Sequence, residues 1–156
     1  MISPYIRRLR DRIGSELLLL PSISVLPRDG HGRILLVRLA DGGWATIGGT
    51  VEPDESPADA AVREAKEEAG VDVALGPILA AVGGPDFRVR YPNGDETAYV
   101  AVVYDATVVG GSAAPDHDET VEVGWFSPSE LAALDLGSFA RATFTALGLL
   151  DGQASP

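Results

Sequence analysis

Residues 48–71 read GGTVEPDESPADAAVREAKEEAGV. Ser56 is a good N-cap, Pro57 is tolerated at the first helical position, and Asp59 completes a capping-box pattern. Gly70 fits the position just past a helix C-terminus. A helix is therefore predicted between Ser56 and Gly70. At about 100° per residue, Ala58, Val62, Ala65 and Ala69 fall in one narrow arc, expected to be a buried stripe that lies close on a sheet. Glu64, Glu67 and Glu68 fall in a second arc beside it, bordered by Ala60 and Ala61, whose small side chains leave it open. Like charges three and four residues apart repel by roughly 0.2–0.5 kcal/mol per pair. Either water screens this repulsion, helped by Asp59–Arg63 and Arg63–Glu67 pairs, or a cation sits on the face. The Gly48-Gly49 segment upstream offers backbone carbonyls, and an oxygen-only ligand set suits Mg²⁺ or Mn²⁺.

The whole chain has 156 residues, 46% of them hydrophobic and 22% charged, the balance of one globular domain with a real core. Twelve basic against 23 acidic residues give a formal net charge of −11. Such a surface repels a polyanion, so a nucleic-acid duplex is a poor partner. A small phosphorylated ligand is different, because a bound divalent cation can reverse the local field. There are no cysteines, which excludes disulfides, thiolate metal sites and cysteine nucleophiles. No apolar run reaches the ~20 residues that span a bilayer, so no membrane association is expected. The start, MISPYIRRLRDRIGSELLLL, lacks the pattern of a signal peptide, and a cytoplasmic location is expected.

Outward from the central segment, residues 4–13 suggest a short leading helix, an extension covering about residues 1–15 of a single domain over 1–156. LLLLPSISVLPRD reads as a strand in which Pro21 suggests an edge or a bulge. RILLVRLA and WATIGGTVE follow, each after a Gly-containing turn. VALGPILAAVGG is another strand, and FRVRY and ETAYVAVVYDATVV flank Pro92-Asn93-Gly94-Asp95, a strong hairpin signal. VEVGWF is the last strand. Ser127-Pro128-Ser129-Glu130 then opens a short helix, and residues 137–149 suggest a final one. Hairpin-linked strands with inserted helices give an α/β (α+β) class with a mixed sheet covered by helices.

Gly49, five residues, Glu55, seven residues, then Arg63-Glu64-Ala65-Lys66-Glu67-Glu68-Ala69-Gly70-Val71 resembles the Nudix box, G-x5-E-x7-R-E-U-x-E-E-x-G-U, where U is a bulky aliphatic residue. Every charged and glycine position of the signature matches. WATIGG and VEVGWFSPSEL extend the likeness more loosely. Ala65 stands where a larger aliphatic is usual, and Ile47 where the family commonly has proline. The resemblance, to MutT-like Nudix hydrolases, implies an α/β/α sandwich and metal-dependent hydrolysis of a phosphoanhydride in a nucleoside diphosphate linked to another group X. ADP-ribose, a sugar nucleotide, a dinucleoside polyphosphate and a nucleoside triphosphate all fit. It also implies that Glu64, Glu67 and Glu68 hold Mg²⁺ or Mn²⁺, with the Gly48 carbonyl as a further ligand, and that Arg63 and Glu55 pair to hold helix and loop in register. Which carboxylate acts as general base stays open. A non-catalytic nucleotide-binding regulator with the same fold is the alternative. An isomerase use of the fold is disfavoured by the missing cysteine.

Beyond the box, Asp116-His117-Asp118-Glu119 precedes the last strand. Glu119 is expected to supply a fourth carboxylate for metal binding or base chemistry, while Asp118 is expected to point away on a strand-like backbone. Arg88 and Arg90 alternate on a strand and are the expected phosphate or ribose contacts. Trp44 and Phe87 are the expected stacking partners for a base, with Tyr91 and Tyr99 as further aromatics. A solvated strand face and core packing account for these six residues as well. His31 and His117 fall in turns and are read as surface residues. The expected partner is a nucleotide-derived small molecule, with a homodimer left open.

Overall fold

The computed structural model describes residues 3–150. Helix α1 spans Pro4–Ile13, as the sequence indicates. Strand β1 (Leu18–Arg28) follows, then β2 (Ile34–Leu39), the short β3 (Trp44–Ala45) and β4 (Ile47–Thr50). Helix α2 covers Pro57–Ala69 and runs directly into β5 (Val71–Val82). A 3-10 turn at Pro85–Phe87, β6 (Arg88–Arg90), β7 (Glu96–Gly111) and β8 (Thr120–Phe126) come next. A 3-10 helix at Pro128–Ala133 and α3 (Ser138–Ala146) complete the order.

One eight-stranded sheet carries the fold, in the order β3-β2-β1-β7-β5, with β4 beside β1, β6 beside β7 and β8 beside β2. β1 and β7 run parallel from Leu18↔Thr97 to Arg28↔Thr107. The other strand pairs are antiparallel. A parallel central pair needs a crossover, and the chain between β1 and β7 contains α2.

Both faces of the sheet are covered, which explains why β2 reads as an unbroken apolar run rather than an alternation. Ile34, Leu35, Leu36 and Val37 are all fully buried. Leu35 and Val37 pack with Ala61, Ala65 and Ala69 of α2. Ile34 and Leu36 face the other way, onto Ala140 and Phe144 of α3. The expected mixed sheet between helical layers is thus observed.

Pro21 is a correction. It lies in a central strand, not at an edge. Its carbonyl accepts the Val51 N–H at 3.1 Å, on the side where the ladder to β4 has just ended at Ser22↔Thr50. Only one of the two bonds of an antiparallel pair can form at Pro21, which has no N–H, and the ladder to β4 ends there. The Asn93-Gly94 hairpin forms as expected, with Tyr91 donating to the Asp95 carbonyl at 2.9 Å. WATIGGTVE is split into β3 and β4 around Thr46, whose hydroxyl lies 2.5 Å from that of buried Ser24.

Candidate active site

α2 has the ends its sequence specifies. Ser56 Oγ accepts the Asp59 N–H at 3.1 Å, and the Asp59 carboxylate accepts the Ser56 N–H at 3.3 Å. Gly70 adopts the left-handed conformation, φ 70°, and closes the helix onto the Ala65 and Lys66 carbonyls. Its rotation, however, differs from the expected one. Ala60, Ala61, Ala65 and Ala69 are fully buried, Val62 is 43% exposed, and Glu68 retains only 8% exposure. Glu64 and Glu68 therefore lie on the flank of the buried face, and Ala60 and Ala61 belong to the core instead of bordering an open arc. Polar anchors set this rotation, which an apolar periodicity does not register.

The first anchor is Glu68. Its Oε2 accepts the Gly48 N–H from β4 at 3.1 Å. Burial pushes the Glu68 carboxyl up to about 8, against the opposing Gly48 N–H, with the charges of Glu64 and Asp116 adding to the rise. Burial also raises the Glu64 carboxyl, and the adjacent Arg63 opposes it. Glu67 is the outermost of the three, with 58% of its side chain exposed.

Arg63 is the second anchor. Its guanidinium donates to both oxygens of Glu55, at 2.7 and 3.1 Å. It also reaches Glu64 Oε1 at 2.7 Å, Glu67 Oε2 at 3.0 Å and the Thr50 carbonyl at 3.3 Å. Glu55 Oε1 in turn accepts the Glu52 N–H at 2.9 Å. The fork of one arginine thus ties helix, preceding loop and β4 together. The bond to Arg63 is the main reason the Glu55 carboxyl lies below its ordinary range.

The third component is the loop before β8. Asp116 Oδ1 accepts the N–H groups of Asp118, Glu119 and Thr120 at 2.9–3.0 Å. Burial works to raise the Asp116 carboxyl, but these bonds outweigh it and hold it below the usual range. Thr120, fully buried, donates its hydroxyl to the Glu68 carbonyl at 2.9 Å, joining this loop to the end of α2. His117 takes a left-handed φ of 64°, so the segment is a tight turn and not strand-like. Asp118 consequently does not point away: it lines the same cleft as Glu119, contrary to expectation.

These elements enclose a cleft of about 210 Å³. Glu64, Glu67 and Glu68 line one wall, the acids of the Asp116–Glu119 loop another, and Thr50, Glu52 and Ser3 complete the rim. Among the described residues, Arg63 is the one cationic side chain in that lining. Among the described residues, no three acidic or histidine side chains converge closely enough to hold a metal as they stand. The cause is visible in the bonding: Arg63 holds Glu64 and Glu67, and Glu68 is turned to Gly48. Gly49 sets the Glu64 position, since a Cβ there would lie 2.2 Å from Glu64 Oε1.

Six residues singled out in the sequence are not brought to this cleft. Phe87 is buried at 5% exposure and packs edge-on against Phe139, at 5.1 Å between ring centres. Trp44 packs edge-on against Phe126, at 4.7 Å. Arg88 and Arg90 lie on the β6–β7 hairpin beside Glu96. Tyr91 and Tyr99 meet through their hydroxyls, 2.5 Å apart. Asp116 stood out in the sequence only as a member of its loop, and Thr120 not at all. The signal was present in Asp-x-x-x-Thr, whose side chains commonly organise turns through local backbone bonds.

The NUDIX domain model matches residues 18–147. Nucleoside triphosphatase NudI of Salmonella agona (strain SL483) is 35% identical over 138 residues, covering 81% of this chain and 94% of that protein. The MutT protein of Methanosarcina mazei Go1 superposes with a TM-score of 0.69 at 26% identity, over 85% of this chain and 95% of that one. An ADP-ribose pyrophosphatase of Streptococcus suis 89-1591 gives 0.62 at 29% identity, over 88% and 94%. This chain belongs to the NUDIX domain family and is a pyrophosphohydrolase of that family.

Proposed function

We propose that the chain hydrolyses a phosphoanhydride of a nucleoside diphosphate derivative with the help of Mg²⁺ or Mn²⁺ held by α2. The observation that carries this reading is the pair of carboxylates, Glu64 and Glu68, partly or wholly withdrawn from water at the wall of an acidic cleft. A buried carboxylate with one N–H partner is costly unless a cation can compensate it. The donor set is all oxygen, which suits these ions. Glu64, Glu67 and Glu68 would hold the metal, with the Gly48 carbonyl as a further candidate. A bound divalent ion supplies neutralisation of phosphoryl oxygens and a lowered pKa for attacking water.

The chain's own residues do the rest. Arg63 and Glu55 position the glutamates, and Thr120 fixes the Asp116–Glu119 loop against α2. Glu119, which lines the cleft together with the glutamates of α2, is proposed to receive the proton of the attacking water. Glu119→Gln is then expected to lower kcat about 10²-fold with KM nearly unchanged, the pattern of a group used mainly in the transition state. Asp118→Asn serves as its comparison, and equal, small effects from both would make this a solvated loop and leave catalysis to α2 alone.

The relatives' names direct the choice of substrates toward nucleoside triphosphates and ADP-ribose. The absence of cysteines suits a reducing compartment, and the cytosol is the proposed setting. A panel adding a sugar nucleotide and a dinucleoside polyphosphate, assayed with Mg²⁺ and again with excess chelator, tests the proposal. Turnover of at least one compound that stops in chelator and returns with excess metal is the expected result. Full turnover in chelator would rule the reading out.

A further inference from the structure

The chain carries a net charge of −11, and its cleft is lined by acids, so phosphate recognition beyond the metal needs a cation from elsewhere. Several basic side chains are already neutralised in place. Arg28 pairs with Asp105 at 2.7 Å, Arg33 with Asp29 at 2.6 Å and Lys66 with Asp72 at 2.9 Å. α1 is different. Arg7, Arg8 and Arg12 are exposed, and among the described residues none has a carboxylate within ion-pair distance.

The placement of α1 distinguishes these three arginines. Arg10 fastens the helix to the start of β7, donating to the Glu96 carbonyl at 2.8 Å and Thr97 Oγ1 at 3.0 Å. Ile6, Leu9 and Ile13 are half-buried on the same side. At the other end Ser3, the N-cap, lines the acidic cleft. With about 100° per residue, Arg7 lies roughly 40° round the helix from Ser3 and roughly 60° from Arg10. Arg8 and Arg12 lie more than about 130° from Ser3, on the solvent side. Arg7 is also only one turn, ~5.4 Å of rise, beyond the cleft rim, and its N–H bonds to the Ser3 carbonyl at 2.9 Å. The family match begins at residue 18, so α1 lies outside it.

We propose that Arg7 is a substrate-binding residue, contacting a phosphate of the nucleotide as it enters the cleft from the α1 side. The inference rests on the proposed hydrolytic function of that cleft. A charge-assisted hydrogen bond to phosphate, made equally in ground and transition states, changes KM and not kcat. Arg7→Ala is therefore expected to raise KM roughly tenfold, with kcat within about twofold of the parent. The increase should shrink at higher ionic strength, and Arg7→Lys should recover part of it. Arg12→Ala, on the solvent side of the same helix, controls for net charge and should change KM less than about twofold.

Equal KM values for Arg7→Ala and Arg12→Ala in an active enzyme overturn the role of Arg7 and leave the function standing. Absence of turnover on every substrate by the parent protein sinks the functional reading instead. Calorimetric titration of a non-hydrolysable nucleotide analogue reads the contact without turnover. A weaker Kd for Arg7→Ala alone supports the assignment, and an unchanged Kd overturns it.

Discussion

Glu68→Gln is expected to lower kcat by at least about 10²-fold while leaving the protein as stable as its parent, or more so. The two halves of this result come from one geometry. Glu68 is 8% exposed and has a single backbone N–H, that of Gly48, on its carboxylate. Glutamine has the same shape and keeps an oxygen for that N–H. It removes the charge whose burial is unfavourable, so thermal unfolding should not move to lower temperature. The same charge is what a cation on α2 would need, so turnover should fall. Near-normal kcat at ordinary Mg²⁺ would show that the buried face of α2 is structural only.

Arg63→Ala is expected to give the largest loss of stability of any single change at the site, about 3 kcal/mol, or a fall of roughly 10 °C in Tm. Arg63 joins Glu55, Glu64, Glu67 and the Thr50 carbonyl, and its removal leaves the partly buried Glu55 and Glu64 without their cation. Activity should fall as well, since the loop from Thr50 to Glu55 loses its tie to α2. Arg63→Lys should restore little, because one ammonium cannot reproduce a planar fork holding both oxygens of Glu55. Glu55→Gln should be milder, since an amide still accepts from Arg63 and from the Glu52 N–H. Thermal unfolding of the three variants in parallel checks the order; a Lys variant as stable as the parent would contradict it.

Much of this was legible in the residues. The capping box at Ser56, the terminal Gly70, the Asn-Gly hairpin and the apolar run of β2 are local signals, and each produced the local structure it specifies. The clustering of Glu64, Glu67 and Glu68 with Arg63 and Glu55 was legible for the same reason, since one helix and its leading loop contain all five. What the sequence left hidden depends on contacts between distant segments. The rotation of α2 is fixed by the Gly48 N–H on Glu68, and nothing in the helix alone reports a bond to β4. Val62 looked like core by its apolar character, yet the sheet meets the alanines beside it. Phe87 and Trp44 illustrate the converse, aromatics whose packing partners, Phe139 and Phe126, are remote in sequence. The loop from Asp116 to Glu119 was singled out by its acids, but its shape escaped, because a turn held by one carboxylate leaves no periodicity.

The central claim is that the glutamates of α2 form a divalent cation site. Titration of Mn²⁺ into metal-free protein, followed by electron paramagnetic resonance, tests it without any choice of substrate. Binding by the parent, and its loss in a Glu64→Gln/Glu68→Gln double variant that retains its fold, is the predicted result. Equal Mn²⁺ binding by the parent and the double variant would contradict it.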